Sequence, residues 1–201
     1  MCLRLEVLRT IDKIIQNVKR DMLGRMADEY HNVRLMASTT LCDGDHLEIG
    51  TLHGGSAIVV ALLKKHCGYS GKVVCIDPLD GYYPNSKRYS RLDILTHIPV
   101  SMETLKENMR RFGVQLEVVQ AYSDPLPITG RRFATAYIDG DHWNGVPLKD
   151  WNAVKRITDK FITFDNCDFN HPDVLHACNI AEREWQPYKR EGITCIVKSP
   201  H

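Results

Sequence analysis

From His46 onward, short apolar runs ending in an acid or a glycine alternate with segments of helical periodicity, and no other feature constrains the fold as much. The runs are HLEIG, KVVCID, QLEVVQA, FATAYID and KFITFDN. SAIVVALLKKHC, SMETLKENMRRFG and VPLKDWNAVKRI lie between them, and HPDVLHACNIAEREW follows the last. Runs that are apolar throughout belong to strands covered on both faces. Strand, helix, strand in that order therefore predicts a doubly wound α/β fold with a mostly parallel sheet. QPYKREGITCIVKSP reads as two further strands joined at Glu191-Gly192, which makes about seven and adds an antiparallel strand at one edge.

A chain of 201 residues is long enough for one domain with a proper core. Residues 1–41 read as a helical extension. Leu3, Val7, Ile11, Ile14, Ile15 and Val18 form one apolar stripe there, suited to capping the sheet or to a homo-oligomer face. Residues 78–100, PLDGYYPNSKRYSRLDILTHIPV, make a loop long enough to be a lid over substrate or cofactor. With 43% apolar and 25% charged residues and a net charge of +1, nothing favours nucleic acid or an anionic membrane as partner. No apolar stretch reaches the roughly 20 residues a membrane helix needs, and the amphipathic N-terminus is no signal peptide, so a cytoplasmic protein is expected. Seven cysteines, an odd number without a C-x-x-C pair, point to a reducing compartment and to buried small side chains.

In a doubly wound sheet, ligands bind beyond the carboxyl ends of the strands. That draws attention to Glu48–Gly50, to Asp77, and to Asp139 with Asp165 and Asn166. The stretch HLEIGTLHGGSAI has no lysine after its glycines, so it is not a phosphate-cradling P-loop. A dinucleotide fingerprint starting at Gly50 would put its second glycine on Leu52. An oxyanion loop at His53-Gly54-Gly55 would need a nucleophile elbow that the chain lacks.

What remains is Glu48-x-Gly50, then Gly54-Gly55-Ser56, with Asp77 at the next strand end. This resembles the first two motifs of class I S-adenosylmethionine-dependent methyltransferases, whose fold is Rossmann-like. By that resemblance, Glu48, Gly50 and Gly54 surround the cofactor, Ser56 caps a helix whose free N–H groups meet its carboxylate, and Asp77 accepts both ribose hydroxyls. AYIDGDHWNGVPLKDW followed by FITFDN resembles metal-dependent small-molecule O-methyltransferases with an Ile-Asp-Gly-Asp-His signature, and more distantly the catechol and caffeoyl-CoA enzymes. The resemblance covers most of residues 45–198. It implies one divalent cation, Mg²⁺ by its oxygen ligands, held by Asp139, Asp165 and Asn166.

The same resemblance puts His142 at the base position, as general base or adenine contact, with Asp139 as its catalytic partner. Anchored on Asp-His-Trp instead, Asp141 becomes the ligand and Asn144 the base position. Trp143 packs on adenine or in the core. Tyr122, Ser123 and Asp124 are further adenine contacts. Tyr82 and Tyr83 lie over cofactor or substrate, while Asp168 and His171 are within reach of the metal pair. Asp150 and Trp151 read as structural. The implied reaction is O-methylation of a small hydroxylated acceptor. The alternatives are a metal-independent N- or C-methyltransferase, a metal-dependent oxygenase on the same fold, and a non-catalytic binding module.

Overall fold

β1 (His46–Ile49), β2 (Val73–Ile76) and β4 (Phe133–Ile138) are buried at every position. That is the burial expected where helices cover both faces of a parallel sheet. A computed structural model of the chain describes residues 2–26, 30–81, 92–93 and 95–201, with backbone only for 2–4. Its seven-stranded sheet has the order β3-β2-β1-β4-β5-β7-β6, where β3 is Glu117–Val119, β5 Thr158–Phe164, β6 Gln186–Glu191 and β7 Thr194–Lys198. β1 to β5 are parallel, β7 runs against β5, and β6 runs against β7. This is the Rossmann-like sheet the sequence predicts, and the closing hairpin supplies its antiparallel pairings.

Side-chain parity divides the core in two. Val73 and Cys75 face one layer while Val74 and Ile76 face the other. The first layer holds α1 (Cys2–Asp21), α2 (Tyr30–Thr39), α3 (Gly55–Cys67) and α4 (Met102–Phe112). Ile11, Ile15 and Val18 of the α1 stripe are fully buried in it, against residues of α3 of the same chain. The second layer holds α5 (Val146–Val154) and α6 (Pro172–Glu184). Its largest side chain is Trp151, fully buried, whose Nε1 donates to Glu184 Oε2 at 2.9 Å. Trp151 is structural, as expected.

Local chemistry sets the helix ends. Ser101 caps α4 by accepting from Thr104 N at 3.2 Å, and Gly113 ends that helix at φ 59°. Lys64, in the last turn of α3, is only 3% exposed. Its Nζ donates to the carbonyls of Cys42, Gly44 and Ser70, which fixes the entry to β1.

Candidate functional site

A cavity of about 710 Å³ opens at the carboxyl ends of β1, β2, β4 and β5. This is where strand order reverses between β1 and β4, the position at which open α/β sheets bind ligands. Gly50 and Ser56 line it, with Asp77 beside them. Opposite stand Ser123 and Asp124, then Asp139 through Trp143, and finally Asp165 with Asn166. The strand ends singled out in the sequence thus meet in one cavity.

Several of these residues work differently from the expectation. Glu48 does not line the cavity: it is fully buried on the α3 face of β1, where Oε1 accepts from Ser56 Oγ at 3.0 Å. Strand parity decides this, because Leu47 and Ile49 point to the opposite layer. Ser56 is therefore not the helix cap. Gly54 caps α3 at φ 88° without any side-chain hydrogen bond, and the helix begins at Gly55. Nor does Gly54 approach a ligand. A Cβ there would stand 2.4 Å from Leu105 Cδ1 of α4, so its missing side chain makes room for that helix.

Asp77 organises the loop before it can bind anything. Its Oδ2 accepts from the amides of Thr51 (2.6 Å) and Leu52 (2.9 Å), and Oδ1 from Leu79 N at 2.7 Å. A carboxylate offers about four lone-pair sites. Three are taken by backbone, so Oδ1 has room for one ligand hydroxyl rather than the carboxylate receiving two.

At the other wall, His142 Nε2 lies 3.2 Å from Asp139 Oδ1. Asp141 Oδ1 accepts from Trp143 N at 3.0 Å and so shapes the turn after β4. The His171 ring stands 5.0 Å from that of His142, edge-on, and 5.9 Å from that of Trp143. His171 Nδ1 pairs with Asp168 Oδ1 at 3.0 Å, which brings both residues to the rim beside His142. Asp124 is bridged to Lys149 at 2.7 Å, and the hydroxyl of the half-exposed Tyr122 donates to Asp80. Tyr82 and Tyr83, with most of the expected lid, lie outside the described residues.

The particular contacts by which the N-terminal segment reaches the site have no signal in the sequence. Asn32 of α2, 2% exposed, donates from Nδ2 to Asp165 Oδ1 at 2.7 Å across 133 residues. Arg25 and Met26 line the cavity, and Arg25 Nε donates to the buried Asp93 at 2.8 Å. Asn108 of α4 joins this segment to the glycine loop by accepting from Leu23 N and donating to the carbonyls of Leu23 and His53. His53 is buried, with Nδ1 3.3 Å from Arg25 N, and does not line the cavity.

Residues 47–167 match the methyltransferase domain family. The chain belongs to this family. The class expected from the sequence, an S-adenosylmethionine-dependent methyltransferase, holds. No curated protein matches the methyltransferase. Among solved structures it is similar to the cofactor-bound Rv0187 from MTB, at 19% identity and TM-score 0.61, covering 96% of this chain and 89% of that one. The O-methyltransferase from Bacillus cereus in complex with SAH is 15% identical, with TM-score 0.58 and coverage of 96% and 91%. The TDP-rhamnose 3'-O-methyltransferase of calicheamicin biosynthesis is 14% identical, with TM-score 0.60 and coverage of 98% and 94%. At these identities the likeness is one of fold.

Proposed function

We propose that this methyltransferase moves a methyl group from S-adenosylmethionine to an oxygen of a small hydroxylated acceptor, beside a divalent cation held by Asp139, Asp165 and Asn166. One observation carries the reading: the glycine loop, Asp77 and these three oxygen donors line a single cavity at the switch point of the sheet. Three oxygens without sulfur or nitrogen suit a hard cation such as Mg²⁺. Asn166 sits at φ 55°, a conformation asparagine tolerates better than most residues and one associated with functional sites. O-methyltransferases among the structures of like fold support oxygen as the acceptor atom.

Each part of the chain then has a task. The loop held by Asp77 presents backbone N–H groups to the cofactor's amino-acid end, and Asp77 Oδ1 takes one ribose hydroxyl. Ser123, Asp124 and Trp143 flank the adenine. Met26 and Val100 exclude water from the apolar side. When bound, the cofactor supplies an electrophilic methyl group and the cation lowers the pKa of a coordinated hydroxyl. His142, with Nε2 turned to Asp139, accepts the acceptor's hydroxyl proton at Nδ1.

Calorimetric titration tests this directly. S-adenosylmethionine binds in the micromolar range and Mg²⁺ gives a separate event. Asp77→Ala loses the first, while Asp165→Ala loses the second and keeps the first. Folded protein that ignores the cofactor would sink the proposal. Cofactor binding and methyl transfer that persist in chelator would move it to the metal-independent reaction. With an acceptor found by screening hydroxylated compounds for a mass gain of one methyl group, His142→Gln should lower kcat by about 10²–10⁴-fold. An unchanged kcat would remove His142 from the base position.

A further inference from the structure

A second group of reactive side chains lies outside the cavity. Cys167 in the loop after β5, Cys178 in α6 and Cys195 in β7 bring their Sγ atoms within 4.8 Å of one another. All three are buried. Arg190, which pairs with Cys195 across β6 and β7, places Nη2 3.1 Å from Cys167 Sγ. Its Nη1 binds Glu182 Oε2 at 3.1 Å, and Glu182 Oε1 lies 3.6 Å from Cys195 Sγ.

A buried structural cysteine packs its sulfur against carbon. Here each of the three sulfurs faces the other two, and an arginine and a glutamate close the group. A guanidinium has only donors, so it meets Cys167 Sγ as an acceptor, the role a thiolate fills best. A loop, a helix and a strand supply one thiol each, so no single turn requires them to meet.

We propose that Cys167, Cys178 and Cys195 form a three-thiolate site for a soft or borderline cation of the zinc type. Zn–S bonds of about 2.3 Å put sulfurs about 3.8–4.0 Å apart, so the observed group has to contract by about 1 Å at most. On binding, each thiol releases its proton to solvent and forms one metal–sulfur bond, so no oxidant or reductant is needed. Three thiolates leave a zinc complex with one negative charge, which Arg190 offsets. The site would tie the residue next to Asn166 to α6 and β7. It is independent of the methyl-transfer reading, because it uses soft donors and shares no residue with the oxygen ligands.

The test uses the whole reduced chain, stripped with chelator and then given one equivalent of Zn²⁺ or Cd²⁺. Cd²⁺ should produce ultraviolet thiolate-to-metal charge transfer saturating at one ion per chain. The absorption should vanish in Cys178→Ala and Cys195→Ala but persist in Cys67→Ser and in Asp165→Ala. X-ray absorption of the zinc-loaded wild type should show a shell of three sulfurs, a result that stands whether or not the cysteine variants fold. A shell of nitrogen and oxygen alone, a band that survives Cys178→Ala, or no metal uptake by the reduced protein would overturn the proposal. A disulfide within the trio that persists in place of metal uptake would overturn it too.

Discussion

Gly50→Ala should disrupt the carboxyl end of the central strands and leave the protein unable to bind its cofactor. Gly50 has φ 84°, and a Cβ built there falls 2.0 Å from the carbonyl oxygen of Asp139 and 2.6 Å from its carbon. Both obstacles are backbone, so no rotamer change relieves them. Neither strand can withdraw alone. Gly50 N bonds to Ile76 O at 3.0 Å and Asp139 N bonds to Ile49 O at 2.8 Å, so separating the pair breaks the ladder on both sides of β1. Gly68 and Gly113 isolate the conformational part of the cost. They have φ 73° and 59°, yet a Cβ at either meets nothing within 4 Å. Alanine at those positions should cost about 1–2 kcal/mol, the usual penalty for a left-handed residue with a side chain. Gly50→Ala should cost on the order of 4 kcal/mol or more, the range reserved for forced backbone clashes. It should also silence the cofactor titration, because Gly50 opens the loop that Asp77 holds through the amides of Thr51 and Leu52. Urea midpoints for the three variants give the comparison. A Gly50→Ala loss no larger than the two controls would show that the sheet end yields and that the close approach is not structural.

That close approach also shows how far the sequence could be read. The strand ends were legible because fully buried parallel strands leave long apolar runs, and each run stops where an acid or glycine reaches the cavity. Glu48 was misread as a cofactor contact although strand parity speaks against it: Leu47 and Ile49 share one face, so the carboxylate between them faces α3 and meets Ser56. What escaped notice depends on contacts that leave no periodic trace. Asn32 sits in a ten-residue helix whose pattern is amphipathic whether or not its amide reaches Asp165. The cap of α3 was assigned to Ser56 because side-chain caps are the common case, whereas a left-handed glycine provides this one. The cysteine trio has no spacing motif. It exists because β7 inserts beside β5 and brings Cys195 alongside the loop that carries Cys167.

The pH dependence of stability should contain two large contributions that hide each other. His46 is fully buried in β1 with Nδ1 2.8 Å from Thr135 Oγ1. Burial, reinforced by the charge of Lys64, pushes its pKa down from 6.5 to about 3. Below pH 6.5 the unfolded chain takes up a proton that the fold refuses, so stability falls as pH drops, by about 1.4 kcal/mol per unit at most. Asp150 is 1% exposed, close under Gly140 of the cavity wall. Burial pushes it up from 3.8 to about 7, against a smaller pull from the Ser123 hydroxyl. Its contribution is fully present below pH 3.8 and is lost as pH rises to 7, with the opposite slope. Between about pH 4 and 6.5 the two cancel. Asp150→Asn removes one of them, so its stability relative to wild type should rise by about 3 kcal/mol from pH 4 to 6.5. Relative to wild type, His46→Asn should fall by a similar amount over the same range, and the double variant should run parallel to wild type. The surface carboxylates are common to all four proteins and drop out of these differences. Urea unfolding at the two pH values decides it. Parallel curves for wild type and Asp150→Asn would mean that Asp150 is ionised in the fold at pH 4, with water or a cation reaching it from the cavity side of Gly140.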